Sequence, residues 1–123
     1  MGKNILIIDD EALITKSLRK LLAREAYEVT IAQSGEEALD KVKKQKVDLI
    51  ICDVRMPQMD GVETIKAIRD YLKSEGKKTV PEILITGYAD EQKYKSAVDL
   101  KVADYIYKPF ETEELLEIVK RNL

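Results

Sequence analysis

The chain has 123 residues, no histidine, one cysteine, no tryptophan and a formal net charge of −2. That is one domain's worth of chain, and 45% apolar with 36% charged residues describes a folded protein with a heavily charged surface. The absent histidine excludes Ser-His-Asp and Cys-His catalysis, histidine-ligated metals and a phosphohistidine carried by this chain.

Ile5-Leu6-Ile7-Ile8 is apolar on both faces and reads as a buried strand. Ile14, Leu18, Leu21 and Leu22 then share one helical face. Glu28–Ile31 is a second strand, and Ser34 with Glu37 forms a capping-box pattern for the next helix. Val47–Cys52 reads as the third strand. A helix follows from about Gly61, with Ile65, Ile68 and Leu72 inward, and 73–79 reads as a polar, glycine-containing loop of more than usual length. Pro81 opens a fourth strand, Ile83–Ile85. Asp90 is placed to cap a helix carrying Tyr94, Ala97 and Val98. Tyr105–Tyr107 is the fifth strand, and Leu115, Ile118 and Val119 mark the last helix.

Strands alternating with helices predict an α/β fold: a doubly wound (βα)5 three-layer sandwich, flavodoxin-like, with a five-stranded parallel sheet. Five strands fit the order 2-1-3-4-5, and ligands in such sheets bind beyond the carboxyl ends of the strands. The single domain is expected to span residues 1–123.

Asp9, Asp10 and Glu11 follow strand 1, Asp53 follows strand 3, Thr86 follows strand 4 and Lys108 follows strand 5. Each has a plain reading alone: capping acids, turn residues, a solvated cation. Together they form a constellation. Carboxylates at the ends of adjacent strands repel unless a cation sits among them, and an oxygen-only donor set favours a hard ion such as Mg²⁺. A lysine and a hydroxyl facing the same spot would supply charge and a hydrogen bond to a phosphoryl group.

Ile8-Asp9-Asp10-Glu11, Asp53 through Met56-Pro57 to Asp60-Gly61, Thr86-Gly87, and Ala103-Asp104-Tyr105-Ile106-Tyr107-Lys108-Pro109-Phe110 resemble the ordered motif set of response-regulator receiver domains. The resemblance covers essentially the whole chain. It implies that Asp53 accepts a phosphoryl group from a phosphohistidine of a sensor histidine kinase or phosphotransfer protein, or from a small acyl phosphate. It further implies that Asp10, Asp53 and the Arg55 backbone carbonyl ligate Mg²⁺ (Mn²⁺ substituting), with Asp9 acting through water. Lys108 would pair with the phosphoryl oxygens, aimed inward by a cis Lys108–Pro109 bond. Thr86 and Tyr105 would form the switch pair that alters the surface of the fourth helix, fifth strand and fifth helix. The residue reading leaves Tyr105 equally open as a half-exposed sheet aromatic.

Other positions depart from the family pattern or tune it. Val102 stands where the family often has glycine, so the helix before it is expected to end differently. Gly87 stands where alanine is commoner, which would leave the site more open. Arg55 and Tyr88 occupy the two variable flanking positions. Cys52 lies inside an apolar run and reads as core. Lys41, Lys43, Lys44 and Lys46 read as a solvated helix face and its exit, and Glu111, Glu113 and Glu114 with Lys120 and Arg121 suit the two ends of the last helix.

The resemblance implies a phosphoacceptor switch, not an enzyme with turnover, partnered by a kinase and by an output protein or fused effector domain. A homodimer formed on phosphorylation is a further partner it allows. A haloacid-dehalogenase-like phosphatase would place its nucleophile after the first strand in Asp-x-Asp-x-Thr, which Asp9–Leu13 does not match. A flavodoxin-like cofactor site would need a phosphate cradle where acids stand here. An unphosphorylated receiver-shaped adaptor would not require the acceptor, acids, threonine and lysine together. The chain lacks the basic excess of a nucleic-acid binder, and no apolar run approaches about 18 residues. One cysteine and no secretion signal predict a cytoplasmic protein that binds neither nucleic acid nor membrane directly. With no effector sequence after Leu123, it is expected to be a stand-alone receiver or a fragment.

Overall fold

A computed structural model describes residues 2–87, 95 and 98–123. Five strands, β1 (Asn4–Ile8), β2 (Glu28–Ala32), β3 (Leu49–Asp53), β4 (Glu82–Gly87) and β5 (Asp104–Lys108), form one sheet. Every pairing is parallel, in the order β2-β1-β3-β4-β5. Helices α1 (Ala12–Arg24), α2 (Gly35–Lys44), α3 (Gly61–Ser74) and a C-terminal helix (Thr112–Arg121) connect and cover it. The expected flavodoxin-like sandwich and strand order are both present.

Alternation along the strands divides the core between two faces. Leu6, Ile8, Ile50, Cys52 and Leu84 pack with Ala38 and Val42 of α2 and with Val62, Ile65 and Ile68 of α3. Ile5, Ile7, Ile51, Ile83, Ile85 and Ile106 pack on the other side with Leu18 and Leu22 of α1 and Leu115 and Val119 of the C-terminal helix. The sheet is covered on both sides, which is why its strands are apolar runs and not alternating ones.

Local chemistry sets the element ends. Ser34 Oγ accepts from the Glu37 amide at 3.1 Å, while Glu37 reaches back to the Gln33 amide at 3.3 Å. The capping box thus closes one residue earlier than its usual form. β3 begins at Leu49, two residues later than expected, and ends on Asp53 itself. The stretch expected as a loop over 73–79 begins with helix: α3 runs through Ser74. Gly76 at φ +64° then closes a Schellman cap, with the Gly76 amide on the Lys73 carbonyl and the Lys77 amide on the Leu72 carbonyl at 3.1 and 2.8 Å. The glycine of that stretch is a helix stop.

The helix expected between β4 and β5 is described only at residues 95 and 98–100, which are helical. Asp90, Tyr94, Ala97 and Tyr88 lie outside the described residues. Val98, expected on that helix's apolar face, is exposed. The left-handed residue closing this turn is Lys101, at φ 56°, with its amide on the Val98 carbonyl. Val102 is buried and packs in the core. The helix thus ends differently, as expected from Val102: Lys101 takes the left-handed position and the β-branched residue avoids it.

Candidate functional site

The carboxyl ends of β1, β3, β4 and β5 bring Asp9, Asp53, Thr86 and Lys108 to one edge of the sheet. β1 and β3 are hydrogen-bonded neighbours in the register Ile8↔Cys52, so the residues that follow, Asp9 and Asp53, emerge side by side. β4 and β5 pair Gly87 with Lys108, which carries the lysine to the same edge. Carboxylate oxygens of Asp9, Asp10 and Asp53 all lie within 4.8 Å of one another. Asp9 and Asp53 are buried, and Asp10 is exposed.

Lys108 Nζ stands 3.6 Å from Asp53 Oδ2, 3.8 Å from Asp9 Oδ2 and 3.9 Å from Glu11 Oε1. One ammonium therefore faces several carboxylates, at distances longer than a close hydrogen-bonded pair. Asp9 uses Oδ1 to accept the Glu11 amide at 2.9 Å, but its Oδ2 is buried with no hydrogen-bond partner. Burial pushes the Asp9 carboxyl up to about 6, and the Asp53 charge adds to this against the Glu11 amide and Lys108. Burial likewise raises Asp53, and Lys108 and the Arg55 amide pull it back. An oxygen buried without a hydrogen bond, in an acidic cluster that Lys108 only partly offsets, fits a hard divalent cation, which takes oxygen ligands and tolerates water in its shell. The donor set suits Mg²⁺ and offers nothing to a soft metal.

Glycine is required at position 61. A Cβ there would meet the carbonyl oxygen of Asp53 inside contact distance and the Val54 Cα at 2.9 Å. The Gly61 amide donates to the Val54 carbonyl at 2.8 Å, and Asp60 caps α3 by accepting the Glu63 amide at 2.9 Å. This close approach of α3 fixes the backbone on which the Asp53 side chain stands. Gly87 is different: a Cβ there meets nothing within 4 Å, so its smallness leaves open space among the described residues.

Thr86 is buried, with its hydroxyl donating to the Gly87 carbonyl at 3.1 Å. Leu84 pairs with Tyr105, so Thr86, two residues along β4 from Leu84, shares a sheet face with Tyr105. Tyr105 is half-buried against the core. The Lys108–Pro109 peptide is cis, as the resemblance implies. Cys52 is fully buried, and burial with the nearby Asp53 charge pushes its thiol well above the ordinary value. This is an inert core thiol.

Sequence reasoning missed Glu11 as a partner of Lys108, since it reads there as a capping acid. Glu11 stands at the N-cap of α1 but makes no side-chain cap. It also missed Arg69, which holds the buried Glu82 in a fork at 2.6 and 2.8 Å and donates to the Leu100 carbonyl at 2.7 Å. Arg69 thereby ties α3 to the start of β4 and to the turn before β5. The only signal was an acid immediately after Pro81, inside a strand.

The model of the response regulator receiver domain matches residues 5–120. The chain belongs to the response regulator receiver family. As a receiver domain of two-component systems, it is 38% identical over its full length to the alkaline phosphatase synthesis transcriptional regulatory protein PhoP of Bacillus subtilis, of which it spans 49%. It is 38% identical over 97% of its length to the transcriptional regulatory protein ResD of Bacillus subtilis, spanning 47% of it. The chain thus spans about half the length of these curated relatives. The receiver fold also superposes on the chemotaxis protein CheY4 of Vibrio cholerae with a TM-score of 0.88, at 32% identity and full coverage of both chains. Among the described residues no helix is long and apolar enough to cross a membrane.

Proposed function

We propose that residues 1–123 act as a phosphoacceptor switch in which Asp53 takes a phosphoryl group from a phosphohistidine of a partner kinase or phosphotransfer protein, or from acetyl phosphate. The observation that carries this reading is the Asp53 carboxylate standing 3.6 Å from the Lys108 ammonium, beside Asp9 and Asp10 at the carboxyl edge of the sheet.

A carboxylate oxygen of Asp53 attacks phosphorus. The new O–P bond forms as the N–P bond to the donor imidazole breaks, and the electron pair leaves with that nitrogen. Lys108 neutralises charge on the phosphoryl oxygens, and the Thr86 hydroxyl turns from the Gly87 carbonyl to donate to one of them. Asp10, Asp53 and the Arg55 carbonyl would hold Mg²⁺, with Asp9 engaged through water, and the ion supplies charge neutralisation that lets the acids and the phosphoryl group coexist. Movement of Thr86 frees space on the face it shares with Tyr105, whose ring follows. The surface around β5 then favours a different partner, an output protein, a fused effector or a second copy. The domain itself turns over no substrate, and its setting is the cytoplasm. With no histidine among residues 1–123, the donor imidazole lies outside this domain.

Incubation with acetyl phosphate, read by intact-mass spectrometry, tests the reading. One added phosphoryl group per chain is expected with Mg²⁺, and none with EDTA or in Asp53→Asn. Equal labelling of Asp53→Asn and wild type would overturn it. Rapid multiple turnover of an aryl phosphate would instead identify a phosphatase.

A further inference from the structure

At the opposite edge of the sheet, a cavity of about 720 Å³ opens between the end of α2 and the connection from α3 to β4. Its apolar lining comes from Val42, Val47, Ile50, Leu72 and Val80. Around these stand Lys43, Lys44 and Lys46 from the α2 side, and Lys77 and Lys78 from beyond α3. All five lysines are exposed.

Two of these cations stand over one ring. Lys43 Nζ lies 5.7 Å and Lys77 Nζ 5.2 Å from the Tyr71 ring centroid, on elements from the two sides of the cavity. Lys77 also donates to the Tyr71 hydroxyl at 3.3 Å. Among the described residues only Lys46 of the five has a carboxylate partner, Asp48 at 3.9 Å. Asp48, the sole acid lining the cavity, has its other oxygen occupied by the Asn4 amide at 2.8 Å. Two helix C-termini at this end contribute roughly half a negative charge each. Five ammoniums against Asp48 and these two dipoles leave a net of about three positive charges around an apolar hole.

We infer that this cavity binds a small organic polyanion with an aromatic or acyl body: the body lies on Val80 and on the accessible edges of Val47 and Leu72, and two or more anionic groups meet Lys43, Lys77 and their neighbours. The volume falls within the range of about 300–1,000 Å³ usual for small-molecule sites, which pair apolar walls with a few placed polar groups. A flat acidic protein surface would meet the lysines but leave the hole unfilled. The binding uses none of the groups at the Asp53 edge, so the two sites stand or fall separately.

The test is titration of the ¹⁵N-labelled chain with bis-anilinonaphthalene disulfonate, an aromatic dianion, with inorganic pyrophosphate as the charge-only probe. The expected result is saturable 1:1 shifts of the Val47, Leu72, Gly76, Lys77 and Val80 amides, with pyrophosphate at least about tenfold weaker. The exposed double variant Lys43→Gln/Lys77→Gln should weaken the dianion about tenfold, while Lys16→Gln/Lys20→Gln on α1 leaves it unchanged. Shifts centred elsewhere, equal affinity for pyrophosphate, or indifference to Lys43→Gln/Lys77→Gln would overturn the assignment. So would a glutamate-rich peptide that binds these amides more tightly than the dianion, since the surface would then serve a protein segment.

Discussion

The two edges of the one sheet carry opposite charge in opposite settings. At the carboxyl edge, Asp9 and Asp53 are buried, repel each other and share a single lysine. At the amino edge, five lysines surround a cavity but stay in water, with two of them over the Tyr71 ring. Charge of one sign is costly where it is desolvated and cheap where it is hydrated. The carboxyl edge is therefore a high-energy arrangement that a bound divalent cation would relieve. The amino edge is a low-energy one that a ligand can use but the fold does not need.

This contrast can be broken at either end. The largest effect is expected at Lys108, because among the described residues it is the cation paired with both Asp9 and Asp53. Lys108→Met should slow phosphorylation by acetyl phosphate about 10²–10³-fold, as loss of a preorganised charge-stabilising donor does. Rates from mass spectrometry at saturating Mg²⁺ would show this, and an unchanged rate would remove Lys108 from the chemistry. Gly61→Ala comes next. Its methyl group would press on the Asp53 carbonyl and the Val54 Cα, so a loss of about 1–3 kcal/mol in urea unfolding is expected.

Repulsion at the carboxyl edge has a signed pH signature. Because Asp9 is raised from its ordinary 3.8 to about 6, the folded state binds its proton more tightly than the unfolded chain does. Stability from this group is therefore lost as pH rises from 3.8 through about 6 and the penalty is complete above that. In EDTA, Asp9→Asn should exceed wild type in stability by about 1–3 kcal/mol near pH 7, and the gap should close toward pH 4. Melting temperatures across that range, repeated with Mg²⁺ to shrink the gap, provide the check. The smallest effect belongs to the other edge: Lys44→Gln or Lys78→Gln should alter stability by less than about 0.5 kcal/mol, as exposed charges do.

Much of this molecule is legible in the sequence because the governing signals are local. Apolar runs gave the strands, Ser34 and Glu37 the start of α2, and the residues after each strand the carboxyl-edge cluster. What was not legible depends on contacts distant along the chain. Nothing near Arg69 in sequence announces Glu82, since the pair forms only when α3 packs on β4. The end of α3 was missed because Lys73 and Ser74 are polar, and polarity alone does not separate an exposed helical turn from a loop. That the helix before Val102 ends differently was legible from its β-branched side chain, but that Lys101 takes the left-handed position, with Val102 in the core, is a choice that only packing reveals. The cavity at the amino edge was unreadable for the same reason: its lysines, from two separate stretches, each look like a solvated face.

The acceptor assignment is tested most directly by trapping the acyl phosphate. Borohydride reduces an aspartyl phosphate to homoserine, and peptide mass spectrometry then locates the altered residue. After acetyl phosphate and Mg²⁺, homoserine is expected at position 53 alone. Homoserine at Asp9, Asp10 or Asp60, or none in a protein that has gained a phosphoryl group, would contradict the account.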